Sequence, residues 1–151
     1  MVKSLNNNIN KIAVFYGGDS SEREISLSTG KEVFDALKRK DFDATLFDIP
    51  QDLNLFFKKK DSFDLVFIAL HGDLGENGGV QGMLEVLGVP FTGSGVLGSA
   101  LAMDKVQAKS IWQKNSLPVI DGFKLPKNTS FDKASKLIID FGFPCFLKPV
   151  A

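Results

Sequence analysis

Apolar positions along the chain come in short runs separated by glycine turns. Lys11-Ile12-Ala13-Val14-Phe15-Tyr16 is a largely apolar run closed by Gly17-Gly18. A buried parallel strand that feeds a tight turn has this form. Ser21-Glu22-Arg23-Glu24 then spells a capping box, in which the serine accepts the third helical N–H and the glutamate reaches back. Ile25, Val33 and Leu37 follow at spacings that keep one helical face apolar. Asp43 to Ile49 alternates as a strand does, Leu65 to Leu70 is a third, buried strand, and Lys58-Lys59-Lys60 between them reads as a solvated edge. Further on, Val80, Met83, Leu84 and Leu87 fall at i, i+3, i+4 and i+7, so a helix ends at Gly88 before the strand-like Val89-Pro90-Phe91.

This βαβ alternation predicts an α/β fold with a doubly wound parallel sheet flanked by helices, whose ligands bind at the carboxyl ends of the strands. Both glycine loops fall at those ends. A second pattern begins at Asp104, the expected N-cap of a helix carrying Val106, Ile111 and Trp112 and stopping at Asn115. A boundary is therefore expected near residue 103. Gly122 to Leu125 reads as a strand, Ser130 as the cap of a helix carrying Ala134, Leu137, Ile138 and Phe141, and Cys145 to Pro149 as a final strand. A terminal strand with an apolar flank needs cover, which leads to the expectation that the natural protein continues past Ala151.

Composition narrows the function. Eighteen basic residues balance eighteen acidic ones, which removes the electrostatic footprint that nucleic acid or an anionic membrane would require. Residues 1 to 10 carry three consecutive asparagines and no signal-peptide core, and read as a flexible tail. The run Leu65 to Leu70 is far short of the roughly 20 residues that span a bilayer, so no membrane segment is expected. The lone Cys145 allows no disulfide framework, is most simply a small core hydrophobe, and fits a cytoplasmic location.

Candidate chemistry concentrates in two loops. In Gly17-Gly18-Asp19-Ser20-Ser21-Glu22, glycines allow a ligand close to the backbone and the following helix offers free N–H groups. Glu22 there either complements the helix dipole, worth ~0.3–1 kcal/mol, or anchors a substrate ammonium. His71 is the only histidine, and it is followed by four glycines and two acids in eight residues, a composition that cannot form a core. A cation held by His71, Asp73 and Glu76 is the rival reading, unsupported by any second histidine or cysteine pattern. Thr92-Gly93-Ser94-Gly95 is a phosphate nest or a flexible turn, and spacing does not separate the two. Lys105 lies in a first helical turn, where a solvated face is the simpler reading; Lys148 lies in an apolar strand, where an amine needs an anionic partner.

Together, Gly17-Gly18-x-Ser20-x-Glu22-x-x-x-Ser26, His71-Gly72-x-x-Gly75-Glu76-x-Gly78 with Gln81-Gly82, Thr92-Gly93-Ser94-Gly95, Met103-Asp104-Lys105 and Phe146-Leu147-Lys148-Pro149 resemble the D-alanine:D-alanine ligase family of the ATP-grasp superfamily. The motifs occur in order over residues 11 to 149. The resemblance implies a Rossmann-like substrate domain over 11–103, the pre-ATP-grasp domain, followed over 104–151 by the start of an ATP-grasp α+β domain, in proteins about twice this length. It implies that Glu22 and His71 serve catalysis and hold the first D-alanine, with Gly17, Gly18 and Ser20 also on the substrate, and that Lys105 and Lys148 contact ATP phosphates.

The implied reaction forms D-alanyl-D-alanine for peptidoglycan through an acyl phosphate, using ATP with Mg2+ or Mn2+. The metal ligands, a transition-state arginine and a phosphate-covering loop are expected beyond Ala151, so this piece alone is expected to be inactive. D-alanine and ATP are the implied partners, with no nucleic acid and no membrane, and the resemblance leaves room for a homodimer. Asn77 stands where the family commonly has aspartate, Phe91 where it has tyrosine, and Asp19 where a neutral residue is frequent. None of these removes an implied role. The alternatives are a stand-alone α/β binding or regulatory domain, or an ATP-grasp ligase of another amino or carboxylic acid.

Overall fold

A computed structural model describes residues 9–150, so most of the expected N-terminal tail and Ala151 lie outside the described residues. These residues fall into two compact units that divide between Ala102 and Met103.

The first unit is built on β1 (Lys11–Gly17), β2 (Asp43–Ile49) and β3 (Leu65–Ile68), paired in parallel in the order β2-β1-β3. Ala13 faces Thr45 on one side and Val66 on the other. Being central explains the unbroken apolar run of β1, because both of its faces are covered. Ala13 and Phe15 point to one layer with Phe47, Ile49, Phe56, Val66, Val80 and Leu84. Ile12 and Val14 point to the other, against Val33 and Leu37 of α1 (Arg23–Arg39). The period of two thus distributes β1 between α1 on one face and α2 (Leu53–Lys59) with α4 (Gly79–Leu87) on the other.

Helix α2 is not legible in the apolar pattern, and it carries an aromatic cluster. Phe56 is fully buried, edge-on to Phe15 at 4.7 Å and to Phe47 at 5.5 Å between centroids. The lysine run is the end of this helix, passing into a 3-10 turn at Lys60–Ser62; Lys58 and Lys59 are exposed in the last turn, where they complement the dipole.

Three local expectations are corrected. Helix α1 starts at Arg23 with Glu22 as its N-cap and no side-chain cap bond, so the Ser21 box is not formed. Ile25 is 57% exposed; the residues that α1 buries are Ser26 and Gly30, and a methyl at Gly30 would collide with Tyr16. Small residues there let helix and sheet approach closely. Residues 89–91 form an isolated bridge, Val66 to Phe91, rather than a full strand. The C-cap of α4 is as expected, with Gly88 left-handed at φ 67°. The short α3 (Asp73–Glu76) and α5 (Val96–Met103) complete this part of the chain.

In the second unit, Asp104 caps α6 (Lys105–Lys114) by accepting the N–H groups of Val106 at 2.9 Å and Gln107 at 3.0 Å. The helix ends at Asn115, as the sequence predicts. Helix α7 (Phe131–Phe141) follows Ser130, whose side chain makes no cap bond. The expected strands at 122–125 and 145–149 are not formed among the described residues, because nothing there offers a ladder to pair with. Phe146 and Leu147 are 92% and 78% exposed, Lys148 is exposed and Cys145 is half-buried, so the buried-strand setting expected for Lys148 and the core setting expected for Cys145 are not found. Among the described residues no helix is long and apolar enough to cross a membrane.

Candidate functional site

The loops after β1 and β3 are neighbours because their strands pair. Gly17 and Gly18 turn the chain with φ of 85° and 87°, and Gly18 N–H donates to Ile49 at 2.8 Å. Arg23 fixes this turn: its guanidinium donates to both oxygens of Asp48, at 2.8 and 2.6 Å, and to the Gly18 carbonyl at 2.9 Å. The bond to Asp48 raises the Arg23 pKa above its ordinary value. This arginine is committed to structure, so it is not free to meet an anion.

Ser20 ties the two loops together. Its hydroxyl donates to the His71 carbonyl at 2.9 Å and accepts the Glu22 N–H at 3.1 Å. Opposite it, Gly72 takes φ 71° and ψ −165°, and a methyl there would lie 2.9 Å from Ser20 Oγ and 3.0 Å from Glu22 Oε2. The Glu22 carboxylate therefore sits over the residue that follows His71. Glu22 is exposed and its side chain makes no cap bond, so that carboxylate is available to a ligand.

The His71 ring is half-buried, with Nε2 3.1 Å from Thr29 Oγ1 and Nδ1 3.8 Å from Glu76 Oε1. Ser26, fully buried, donates to the Ala69 carbonyl at 2.8 Å, and Gln81 Nε2 donates to Gly75 at 2.7 Å, holding the loop from beneath. Gly18, Asp19, Ser20, His71, Asp73 and Leu74 border an open cleft of about 140 Å³. That is below the roughly 300 Å³ at which drug-sized ligands are enclosed. Asp19 and Asp73 border it, Glu22 and Glu76 are exposed on the same two loops, and Arg23 is engaged elsewhere. The arrangement suits a small molecule bearing an ammonium and is unsuited to a phosphate.

Gly17, Gly18, Ser20, Glu22 and His71 are thus brought together. Lys105 and Lys148 belong to the second unit, both exposed; the Lys105 N–H donates to the Val150 carbonyl at 2.9 Å, which brings the segment just past Lys148 to the start of α6. Among the described residues no group of three His, Cys, Asp or Glu side chains converges as a metal site. Thr92 accepts the Ile68 N–H at 3.1 Å, so the first residue of the 92–95 turn serves β3. Arg23, Ser26, Thr29 and Gln81 were not singled out as site residues by their types alone. For Ser26 and Thr29 the signal is spacing: with Glu22 they fall at i, i+4 and i+7, a polar stripe where an amphipathic helix would carry apolar residues.

A family model described as D-ala D-ala ligase N-terminus matches residues 11–62 and 54–94. A D-alanine--D-alanine ligase of Neisseria meningitidis serogroup C is 48% identical over 144 residues, covering 95% of this chain and 46% of that protein. The ligase of Laribacter hongkongensis is 42% identical, covering 99% and 47%. Among solved structures, a D-alanine--D-alanine ligase from Bacillus anthracis complexed with ATP superposes with a TM-score of 0.71 at 35% identity, covering 85% of this chain and 44% of that one. The chain spans about half the length of the curated relatives it matches.

Proposed function

Because the chain belongs to the D-ala D-ala ligase N-terminus family, we propose that it supplies the first-substrate half of a ligase that joins two D-alanines at the expense of ATP, in the cytoplasm. The observation that carries this reading is the placement of the Glu22 carboxylate over Gly72, beside His71, with Ser20 bridging the two loops. Glu22 holds the ammonium of the first D-alanine, and His71 donates to its carboxylate. Gly17 and Gly18 keep the backbone low enough for so small a ligand, and Ser20 holds the loops in register.

Residues 11–103 form the substrate domain in this reading, and 104–151 open the ATP-binding domain. ATP would be held at its phosphates by the ammonium groups of Lys105 and Lys148, and supplies the phosphoryl group that activates the D-alanine carboxylate toward the second amine. The described residues do not fit Mg2+ or Mn2+, since no cluster of metal ligands forms among them, and no metal-dependent step is assigned to them.

The test is a chimera in which this chain replaces the matching first part of the Neisseria ligase. The expected result is phosphate release from ATP that requires D-alanine and is lost with Glu22→Gln. A folded chimera that binds ATP yet releases phosphate only with a different amino or carboxylic acid would move the protein to another ligase activity.

A further inference from the structure

His71 stands between two side chains that act on its ring unequally. Thr29 Oγ1 is within hydrogen-bond reach of Nε2 at 3.1 Å, whereas Glu76 Oε1, 3.8 Å from Nδ1, is close enough to bias a proton but too far for a hydrogen bond. A neutral imidazole carries its proton on one nitrogen, and the partner of the other selects which. With the proton on Nε2, the ring would donate to Thr29 and turn the Nδ1 lone pair toward a carboxylate, a repulsive arrangement. With the proton on Nδ1, Thr29 donates to Nε2 and the Nδ1–H dipole points toward Glu76, which is attractive.

We propose that Thr29 is a positioning residue for His71: its hydroxyl donates to Nε2, fixes the Nδ1–H tautomer, and leaves Nδ1–H as the ring's one free donor for the carboxylate of a small ligand. The identity of that ligand rests on the ligase reading; the tautomer does not. Thr29 is aimed by its helix. Ser26, one turn earlier, is locked to the Ala69 carbonyl, which sets the rotation of α1 against the end of β3 and turns Thr29 to the His71 loop. A hydroxyl both donates and accepts, so the same contact survives protonation of the ring with its direction reversed. Neither a methyl nor an ammonium at this position could do that.

His71 is the chain's only histidine, so its imidazole nitrogens can be read without assignment in the nitrogen-15-labelled chain. For the neutral ring, the wild-type spectrum is expected to show the Nδ1–H form. Thr29→Ser should keep it, and Thr29→Val, which has nearly the same shape without the hydroxyl, should move it to Nε2–H or to an averaged pair. A wild-type ring in the Nε2–H form overturns the proposal, as does a Thr29→Val spectrum identical to wild type. The wild-type measurement stands even where a variant fails to fold. In the chimera, Thr29→Val is expected to raise the D-alanine requirement roughly 3- to 10-fold, the worth of one hydrogen bond, with the ATP requirement unchanged and Thr29→Ser close to wild type. An Nδ1–H ring whose resonances ignore D-alanine would keep the role of Thr29 in setting the tautomer and overturn the first-substrate reading instead.

Discussion

Replacing Gly72 by alanine separates the site from ordinary backbone strain, because Gly88 provides a matched control. Both glycines have positive φ, 71° and 67°. Gly88 has ψ 23°, the left-handed helical well, and a methyl there meets nothing within 4 Å. Gly88→Ala should therefore cost only the left-handed penalty, about 1 kcal/mol. Gly72 has ψ −165°, in a region that is essentially glycine's alone, at about 1–3 kcal/mol for another residue. Its methyl would also press on Ser20 Oγ at 2.9 Å and Glu22 Oε2 at 3.0 Å. Relief requires either side chain to move, and moving Ser20 breaks its bond to the His71 carbonyl, worth about 1 kcal/mol. Gly72→Ala is thus expected to cost about 2–4 kcal/mol, two or more times the control. Urea unfolding of the chain measures both. In the chimera Gly72→Ala should also raise the D-alanine requirement, which Gly88→Ala should not. Equal unfolding midpoints for the two variants, with the D-alanine requirement unmoved, would refute the placement of Glu22 over Gly72.

Other expectations follow from the same geometry. Glu22→Gln and His71→Gln in the chimera should raise the KM for D-alanine more than that for ATP, and Lys148→Ala the reverse; equal effects on both substrates would remove the role assignment. Phe56→Ala, which empties the centre of the aromatic cluster, should cost about 3–5 kcal/mol by thermal or urea unfolding, and a loss below 1 kcal/mol would contradict the packing of α2. The Asp64 carboxylate accepts the Lys11 and Asn10 N–H groups, at 2.8 and 3.0 Å, which holds its pKa below the ordinary value. A depressed native pKa contributes stability above the unfolded value near 3.9 and loses it as pH falls through the native one. Asp64→Asn should therefore flatten the unfolding midpoint against pH below about 4, by no more than about 0.5 kcal/mol because the group is exposed.

The parts of the fold legible in the sequence are those where one local signal decides. β1 and β2 announce themselves through burial or alternation, the ends of α4 and α6 through Gly88, Asp104 and Asn115. Helix α2 was hidden because Leu53 and Phe56 are followed by lysines, and its apolar face is earned only against Phe15 and Phe47, distant in sequence. The Ser21 box failed for the opposite reason. Its sequence is right, but Ser20 orders this turn by bridging to the His71 loop 51 residues away, and the helix starts one residue late. The expected strands of the second unit depend wholly on partners, and a β pattern without a ladder has no conformation to impose. Glu22 and His71 were legible by type and loop; their juxtaposition, Arg23 and Thr29 were not, since each depends on which loops the sheet brings together.

Strand order explains why the site lies where it does. The connection leaving the top of β1 runs through α1 to β2 on one side, whereas the connection leaving the top of its neighbour β3 runs through α3 and α4 to the bridge at Phe91 on the other, so the two connections diverge. A crevice opens at such a reversal, between β1 and β3. Toward β2 the gap is closed: Gly18 N–H is bonded to Ile49, and Arg23 clamps Asp48. Toward β3 the two loops themselves are tied by the Ser20 hydroxyl to the His71 carbonyl, and Asp19, Asp73 and the His71 imidazole stand at the cleft with Leu70 and Leu74. The topology fixes the position of the crevice, and the residues around it, with Arg23 withdrawn into structure, fix the charge of what can enter.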